Sequence, residues 1–204
     1  MKHLSSILSL ALLSLFVISC GEDDGKSAKD RSGGAMASNA AERVYVAPGE
    51  HDEFYAFLSG GYSGNLTVYG LPSGRMLKEI PVFSQFPTSG YGYSEETKAM
   101  LNTSFGFVPW GDAHHPDISQ TNGETDGRWV FINENNTPRI ARISLETFET
   151  EEIIEIPHSA GNHSSSFVTE NTEYIVAGTR FSVPYPQEDI AISEMKGNFK
   201  GPLT

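Results

Sequence analysis

Short alternating segments punctuated by turn residues dominate this chain, and they leave little choice of fold class. Asn65–Pro81 alternates along Asn-Leu-Thr-Val-Tyr, turns at Leu71-Pro72-Ser73-Gly74 and alternates again, which predicts a hairpin. Arg128–Pro157 repeats the scheme at greater length. Trp129–Ile132 reads as a strand, Asn133–Pro138 as a turn cluster, and Arg139–Leu145 and Glu149–Ile156 as two more strands. Both segments close on Glu-Ile-Pro, at Glu79–Pro81 and Glu155–Pro157, roughly two 40-residue units apart. Glu173–Val183 starts a further strand pair, and the stretch from Gly197 to Thr204 shows no closing strand.

A unit of about 40 residues built as strand, turn, strand, loop, strand is the pattern of a β-propeller blade. The expected class is therefore all-β, and 43–204 would supply about four blades. Either the propeller is small or it is incomplete. One helix is expected among the strands, capped by Ser94 with Glu95 and Glu96 in its first turn, where carboxylates favour the helix dipole. The 20 glycines and 11 prolines suit many turns.

Residues 1–20 stand outside this pattern. Lys2 and His3 precede an apolar run from Leu4 to Ile18 that is short for a bilayer span and reads as an export signal. The run ends at Val17-Ile18-Ser19-Cys20, which resembles a lipoprotein cleavage box with Cys20 as the lipidated residue. The alternative is an ordinary signal peptide cut nearby, with Cys20 lost. Residues 21–42 are polar, small and charged, and are expected to form a flexible tether. Cys20 is the one cysteine, so disulfides and thiolate metal sites are excluded from the folded part. The net charge of −12, with no local basic cluster, argues against nucleic acid as a partner and favours a cationic protein.

Two histidine-bearing segments carry the candidate chemistry. The first is Trp110-Gly-Asp-Ala-His114-His115-Pro116. Adjacent histidines in a regular strand point to opposite faces, but Gly111 and Pro116 bracket this pair, which predicts a loop that can aim both rings at one site. Neutral imidazole suits copper, zinc, iron and nickel. Asp112, two residues upstream of His114, is placed to accept an outward ring N–H and fix a tautomer. The second segment is Ile156-Pro-His158-Ser-Ala-Gly-Asn-His163-Ser164. Loops of different blades gather at one end of a propeller, where histidines distant in sequence can share a metal. A solvated His-His loop remains the commoner outcome for such a dipeptide. Ser164–Ser166 beside His163 offers a weak nucleophile reading. The carboxylates Asp112, Asp117, Glu124 and Asp126 lack calcium-loop spacing.

The run from Gly111 to Ile143, with Asp-Ala-His-His-Pro followed by Asp126-Gly-Arg-Trp-Val-Phe-Ile-Asn133, closely resembles nitrous-oxide reductase, as does Glu151–Pro184. The resemblance spans about 60–190. It implies a periplasmic enzyme that reduces nitrous oxide to dinitrogen and water, homodimeric at full length. It also implies an N-terminal seven-bladed propeller followed by a cupredoxin domain. By resemblance, His114, His115 and His163 match ligands of a four-copper sulfide cluster, and Asp112 a carboxylate beside it. His158 matches a turn or surface position. Cytochrome c or a small copper protein would be the electron donor. A dinuclear copper site, and calcium, are expected only in parts of the full-length family protein that this chain lacks.

Two features depart from the family: Ser164 stands where glycine is frequent, and the export signal lacks a twin-arginine pair. The latter resembles the subgroup exported by general secretion and implies copper loading after export. The expectation is thus an N-terminal fragment, inactive alone. A non-catalytic propeller lipoprotein that kept the histidines by descent is the competing reading.

Overall fold

The computed structural model describes residues 39–164, 166–181, 183–184, 191–194, 197 and 199–200. The chain divides into two units, Met1–Ser38 and Asn39–Thr204, and every described residue belongs to the second. The export segment, Cys20 and the tether up to Ser38 lie outside the described residues. The end of the expected tether is helical: α1 spans Ala40–Val44, with the Asn39 side chain accepting the Glu42 N–H at 2.9 Å. It buries nothing, and the Asn39 cap satisfies one of its free N–H groups.

A first antiparallel sheet runs β1 (Phe54–Ser59), β2 (Asn65–Leu71) and β3 (Met76–Pro81) in that order. The β2–β3 hairpin turns at Leu71–Gly74, as the sequence predicts. Asp52 ties the turn down, accepting from the Ser73 N–H and Oγ, each at 2.9 Å, and from Arg75 Nη2 at 2.7 Å. Gly70 is required there, because a Cβ would stand 2.5 Å from the Asp52 carboxyl carbon. Burial opposes ionisation of Asp52, yet the hydrogen bonds from Arg75 and Ser73 outweigh it and hold its pKa below the ordinary value.

Helix α2 (Glu95–Ala99) forms where Ser94 caps it, with Ser94 Oγ accepting the Thr97 N–H at 3.2 Å. A small ribbon follows, β4 (Asn102–Thr103) with β5 (Gly106–Phe107). The second large sheet is a four-stranded antiparallel meander of β6 (Ala113–Thr121), β7 (Glu124–Glu134), β8 (Arg139–Ser144) and β9 (Glu149–Glu155). The strands expected at 129–132, 139–145 and 149–156 are all present. The expected turn cluster is shorter, because Asn133 and Glu134 still pair with β6.

The two sheets share one core. Leu66, Val68, Ile80, Val82 and Phe83 pack with Ala113, Val130, Ile132, Ala141 and Ile143, all fully buried. Each such aliphatic or aromatic side chain contributes on the order of 1.5–3 kcal/mol by burial. Thr150 Oγ1 donates to the Pro81 carbonyl at 2.8 Å and joins β9 to β3.

The later strands differ from expectation. The pair placed at 173–183 instead forms between β10 (Phe167–Val168) and β11 (Ile175–Val176). The segment read as lacking a closing strand holds β13 (Phe199–Lys200), which pairs with β12 (Val183–Pro184). The described residues are mostly sheet with few helices, as an all-β chain should be. The β6–β9 meander has the strand order of a blade. Among the described residues the sheets do not close into a ring.

Candidate metal centre

The His114–His115 pair sits in a strand, which corrects the loop expectation. β6 starts at Ala113, which exchanges backbone hydrogen bonds with Gly61 at 2.9 and 3.1 Å. Ala113 and His114 then pair with Glu134 and Asn133, but the next pairing is Asp117 with Phe131. β6 therefore carries one residue more than β7 over this step, a β-bulge. Pro116 has no N–H to give to the ladder, and His115 takes a φ of 41°. The bulge breaks the alternation of a regular strand. Both rings face one site, with centroids 5.7 Å apart.

His163 reaches the same site from the loop after β9. That loop docks on the end of β7. The Asn162 N–H donates to the Glu134 carbonyl at 3.0 Å, and Asn133 Nδ2 donates to the Asn162 carbonyl. Gly161 has φ +67°, and a Cβ there would lie 2.4 Å from the Asn135 carbonyl oxygen, so glycine is what lets the loop approach. The His163 ring comes to rest 4.5 Å from His114 and 4.9 Å from His115. One ring nitrogen of each histidine lies within 4.8 Å of the other two.

Ser164, the family departure, has a structural task. Its Oγ donates to the Gly178 carbonyl at 2.9 Å and accepts the Gly178 N–H at 2.7 Å. That pair of hydrogen bonds to the neighbouring segment occupies the Ser164 hydroxyl, which disfavours Ser164 as a nucleophile; Ser165 lies outside the described residues. His158 does not join the three histidines. It sits at a turn with φ 55° and lines a cleft with Ser104, Phe105 and Glu155.

Asp112 stands behind His114, 1% exposed. Its Oδ1 is 2.8 Å from His114 Nε2, and its Oδ2 accepts from Asn135 Nδ2 at 2.9 Å. A carboxylate at Nε2 selects the Nε2–H tautomer and leaves the Nδ1 lone pair of His114 for a metal. The Asp112 N–H donates to Glu134 Oε1 at 3.3 Å. Glu134 is itself fully buried and paired with Arg139 Nε at 2.8 Å, while Thr137 Oγ1 donates to the same carboxylate. Gly111 must be small, since a Cβ would stand 2.4 Å from Phe83 Cβ.

The electrostatics favour a neutral ring at His163. Burial, followed by the neighbouring His114, His115 and Arg180, pushes the His163 pKa below its ordinary value, and Asp112 opposes the shift only in part. A neutral ring keeps a lone pair for a metal. Two half-buried histidines and one exposed histidine, with a buried carboxylate behind one of them, fit a site for a metal that takes imidazole, such as copper, zinc, iron or nickel. The carboxylates Asp117 and Asp126 are engaged by protein donors. Asp117 accepts from the Ile118 and Val168 N–H groups, and Asp126 from Ser119, Thr121 and Arg128.

Glu134, Asn135 and Arg180 escaped the sequence reading. No local pattern marks them: Asn135 and Arg180 meet only when the His163 loop docks onto β7, and the Glu134 carboxylate takes its role from Arg139 and the Asp112 N–H.

No protein-family model matches the chain. Curated relatives do. Over 155 residues it is 38% identical to nitrous-oxide reductase of Pseudomonas fluorescens, a match covering 76% of this chain and 24% of that protein. Over 148 residues it is 36% identical to nitrous-oxide reductase of Stutzerimonas stutzeri, covering 72% and 23%. The same enzyme of Ralstonia nicotianae is 31% identical over 193 residues, covering 87% and 30%. The chain thus spans less than a third of the length of these relatives.

Proposed function

For a chain related to the nitrous-oxide reductases over most of its length, we propose a contribution to nitrous-oxide reduction: His114, His115 and His163 hold part of a polynuclear copper site. The observation that carries the reading is the meeting of three imidazoles from two separate segments, with Asp112 at 2.8 Å behind one of them.

Copper bound there would supply the electrons for reduction of nitrous oxide to dinitrogen and water. The chain's own residues prepare the ligands. Asp112 holds His114 as the Nε2–H tautomer, so that Nδ1 is the ligating atom. The bulge at His115 and Pro116 turns the second ring to the same side. The Gly161 turn and the Ser164–Gly178 hydrogen bonds hold the third.

The reading extends to a β-propeller of which the β6–β9 sheet is one blade, and to a four-copper sulfide cluster completed by ligands from outside these three histidines. Cys20 is the one cysteine, so a thiolate-bound dinuclear copper site would need residues beyond this chain. The 204 residues alone would then be inactive. Cytochrome c or a small copper protein as donor, a homodimeric full-length protein and a periplasmic location, lipid-anchored at Cys20, belong to the same proposal. The last rests on the apolar run from Leu4 to Ile18 and the residues before Cys20.

The test is copper content and nitrous-oxide reduction by the whole protein with each histidine replaced by alanine. Loss of both in all three variants supports the reading. Full copper and undiminished reduction in the variants would instead support a protein that kept the histidines by descent.

A further inference from the structure

One side chain links the first histidine-bearing segment to Arg180, which in turn holds the second, and nothing in its sequence context marks it. Asn135, just past the end of β7, grips Asp112 twice. Its backbone N–H donates to the Asp112 carbonyl at 2.9 Å, and its Nδ2 donates to Asp112 Oδ2 at 2.9 Å. Asn135 Oδ1 faces the other way and accepts from Arg180 Nη1. The Arg180 N–H donates to the Gly161 carbonyl at 3.0 Å, and Gly161 packs on the Asn135 carbonyl, two residues before His163.

The chemistry of the partners fixes the amide. Guanidinium has donors only, so the oxygen of Asn135 must face Arg180. Its NH2 then faces Asp112, which accepts it at Oδ2 and keeps Oδ1 for His114. Asp112 is buried, and a buried carboxylate needs each oxygen satisfied if it is to hold one orientation. Removing the Asn135 amide leaves Oδ2 unpaired and the carboxylate able to turn away from Nε2. The same removal frees the guanidinium of Arg180, the residue whose backbone N–H holds the Gly161 carbonyl of the His163 segment.

We infer that Asn135 is the positioning residue of this centre, aligned by Arg180, and that it sets both the His114 tautomer and the spacing of His114 from His163. This rests on the reading of the three histidines as copper ligands. Asn135 touches neither copper nor substrate and acts through Asp112 on one side and, by way of Arg180, through Gly161 on the other.

The experiment uses the whole protein prepared without copper, with the metal alone, as Cu(I), for the probe. The 15N resonances of the histidine rings report the tautomer, and competition with a Cu(I) chelator reports affinity. In the native protein His114 is expected as the Nε2–H form. In Asn135→Ala the ring should populate both tautomers, and Cu(I) affinity should fall about 10–100-fold, the usual effect of losing an outer hydrogen-bond partner. Arg180 is exposed, so Arg180→Ala keeps the fold and should give a smaller fall in the same direction. Adding it to Asn135→Ala should cost little more than Asn135→Ala alone, since both act through one amide.

A single Nε2–H tautomer and native Cu(I) affinity in both single variants would overturn the inference. His114→Ala serves as the control for the underlying reading. If it loses Cu(I) while the Asn135 and Arg180 variants do not, the inference fails alone. If it too binds Cu(I) as the native protein does, the reading of the site fails with it.

Discussion

The buried carboxylate of Asp112 lies 2.8 Å from Nε2 of His114, on the side of the ring away from Nδ1. That contact decides which nitrogen the histidine offers. It also makes Asp112 the residue whose loss should weaken copper binding without removing a ligand. Asp112→Asn keeps the shape but presents a neutral acceptor or a donor. Asp112→Ala removes the contact. Cu(I) affinity of the whole protein, measured against a chelator, should fall roughly 10–100-fold in the alanine variant and less in the asparagine variant. Equal affinity in all three proteins would contradict the assignment.

Gly161 is expected to tolerate no side chain. Its φ of +67° is unfavourable for alanine, and the added Cβ would lie 2.4 Å from the Asn135 carbonyl. Gly161→Ala should cost at least about 1 kcal/mol of stability through strain. It should also lower copper occupancy, since His163 follows two residues later. Denaturant unfolding and metal analysis check the two effects, and native values in both would show that the close approach is not needed.

Glu134 and Arg139 form a fully buried ion pair beneath Gly111 and Asp112, 2.8 Å apart at Oε2 and Nε. Glu134→Ala leaves the Arg139 charge without its partner and takes away the acceptor of the Asp112 N–H. A loss of about 3–5 kcal/mol is expected, the usual cost of breaking a buried pair from one side. Chemical denaturation measures it. A change within about 0.5 kcal/mol, typical of a surface site, would contradict the burial of this pair.

Asp126 gives a pH prediction. Its hydrogen bond with Arg128, together with those from Ser119 and Thr121, outweighs the opposing effect of burial and holds its carboxyl well below the usual carboxylate range. A folded pKa below the unfolded one stabilises the fold fully above the unfolded value, near ~3.9 for aspartate. That contribution is lost as pH falls through the folded value. Asp126→Asn should therefore narrow the stability gap between neutral and acid conditions. An identical acid-unfolding profile for variant and native protein would show that the Asp126 contacts do not survive in solution.

Much of the fold was legible because its signals are local. Alternation and turn residues placed β2, β3, β7, β8 and β9, and the Ser94 cap placed α2. β1 was missed: Phe54–Ser59 has no alternation and is exposed at both ends, so only pairing with β2 makes it a strand. β13 was missed because two residues carry no periodicity. The three histidines were found, but the geometry that joins them was misread. Gly111 and Pro116 suggested a loop, whereas the structure keeps a strand and turns the ring of His115 with a bulge. Asn135 and Arg180 were invisible for a deeper reason. They lie 45 residues apart, and their relation exists only once the His163 loop has docked.

The central claim is that His114, His115 and His163 bind copper together. X-ray absorption at the copper edge of the loaded whole protein tests it most directly, comparing native protein with His163→Ala. Imidazole scattering is expected in the native protein, with fewer imidazole ligands per copper or loss of copper in the variant. Unchanged copper content and an unchanged imidazole shell in His163→Ala would contradict it.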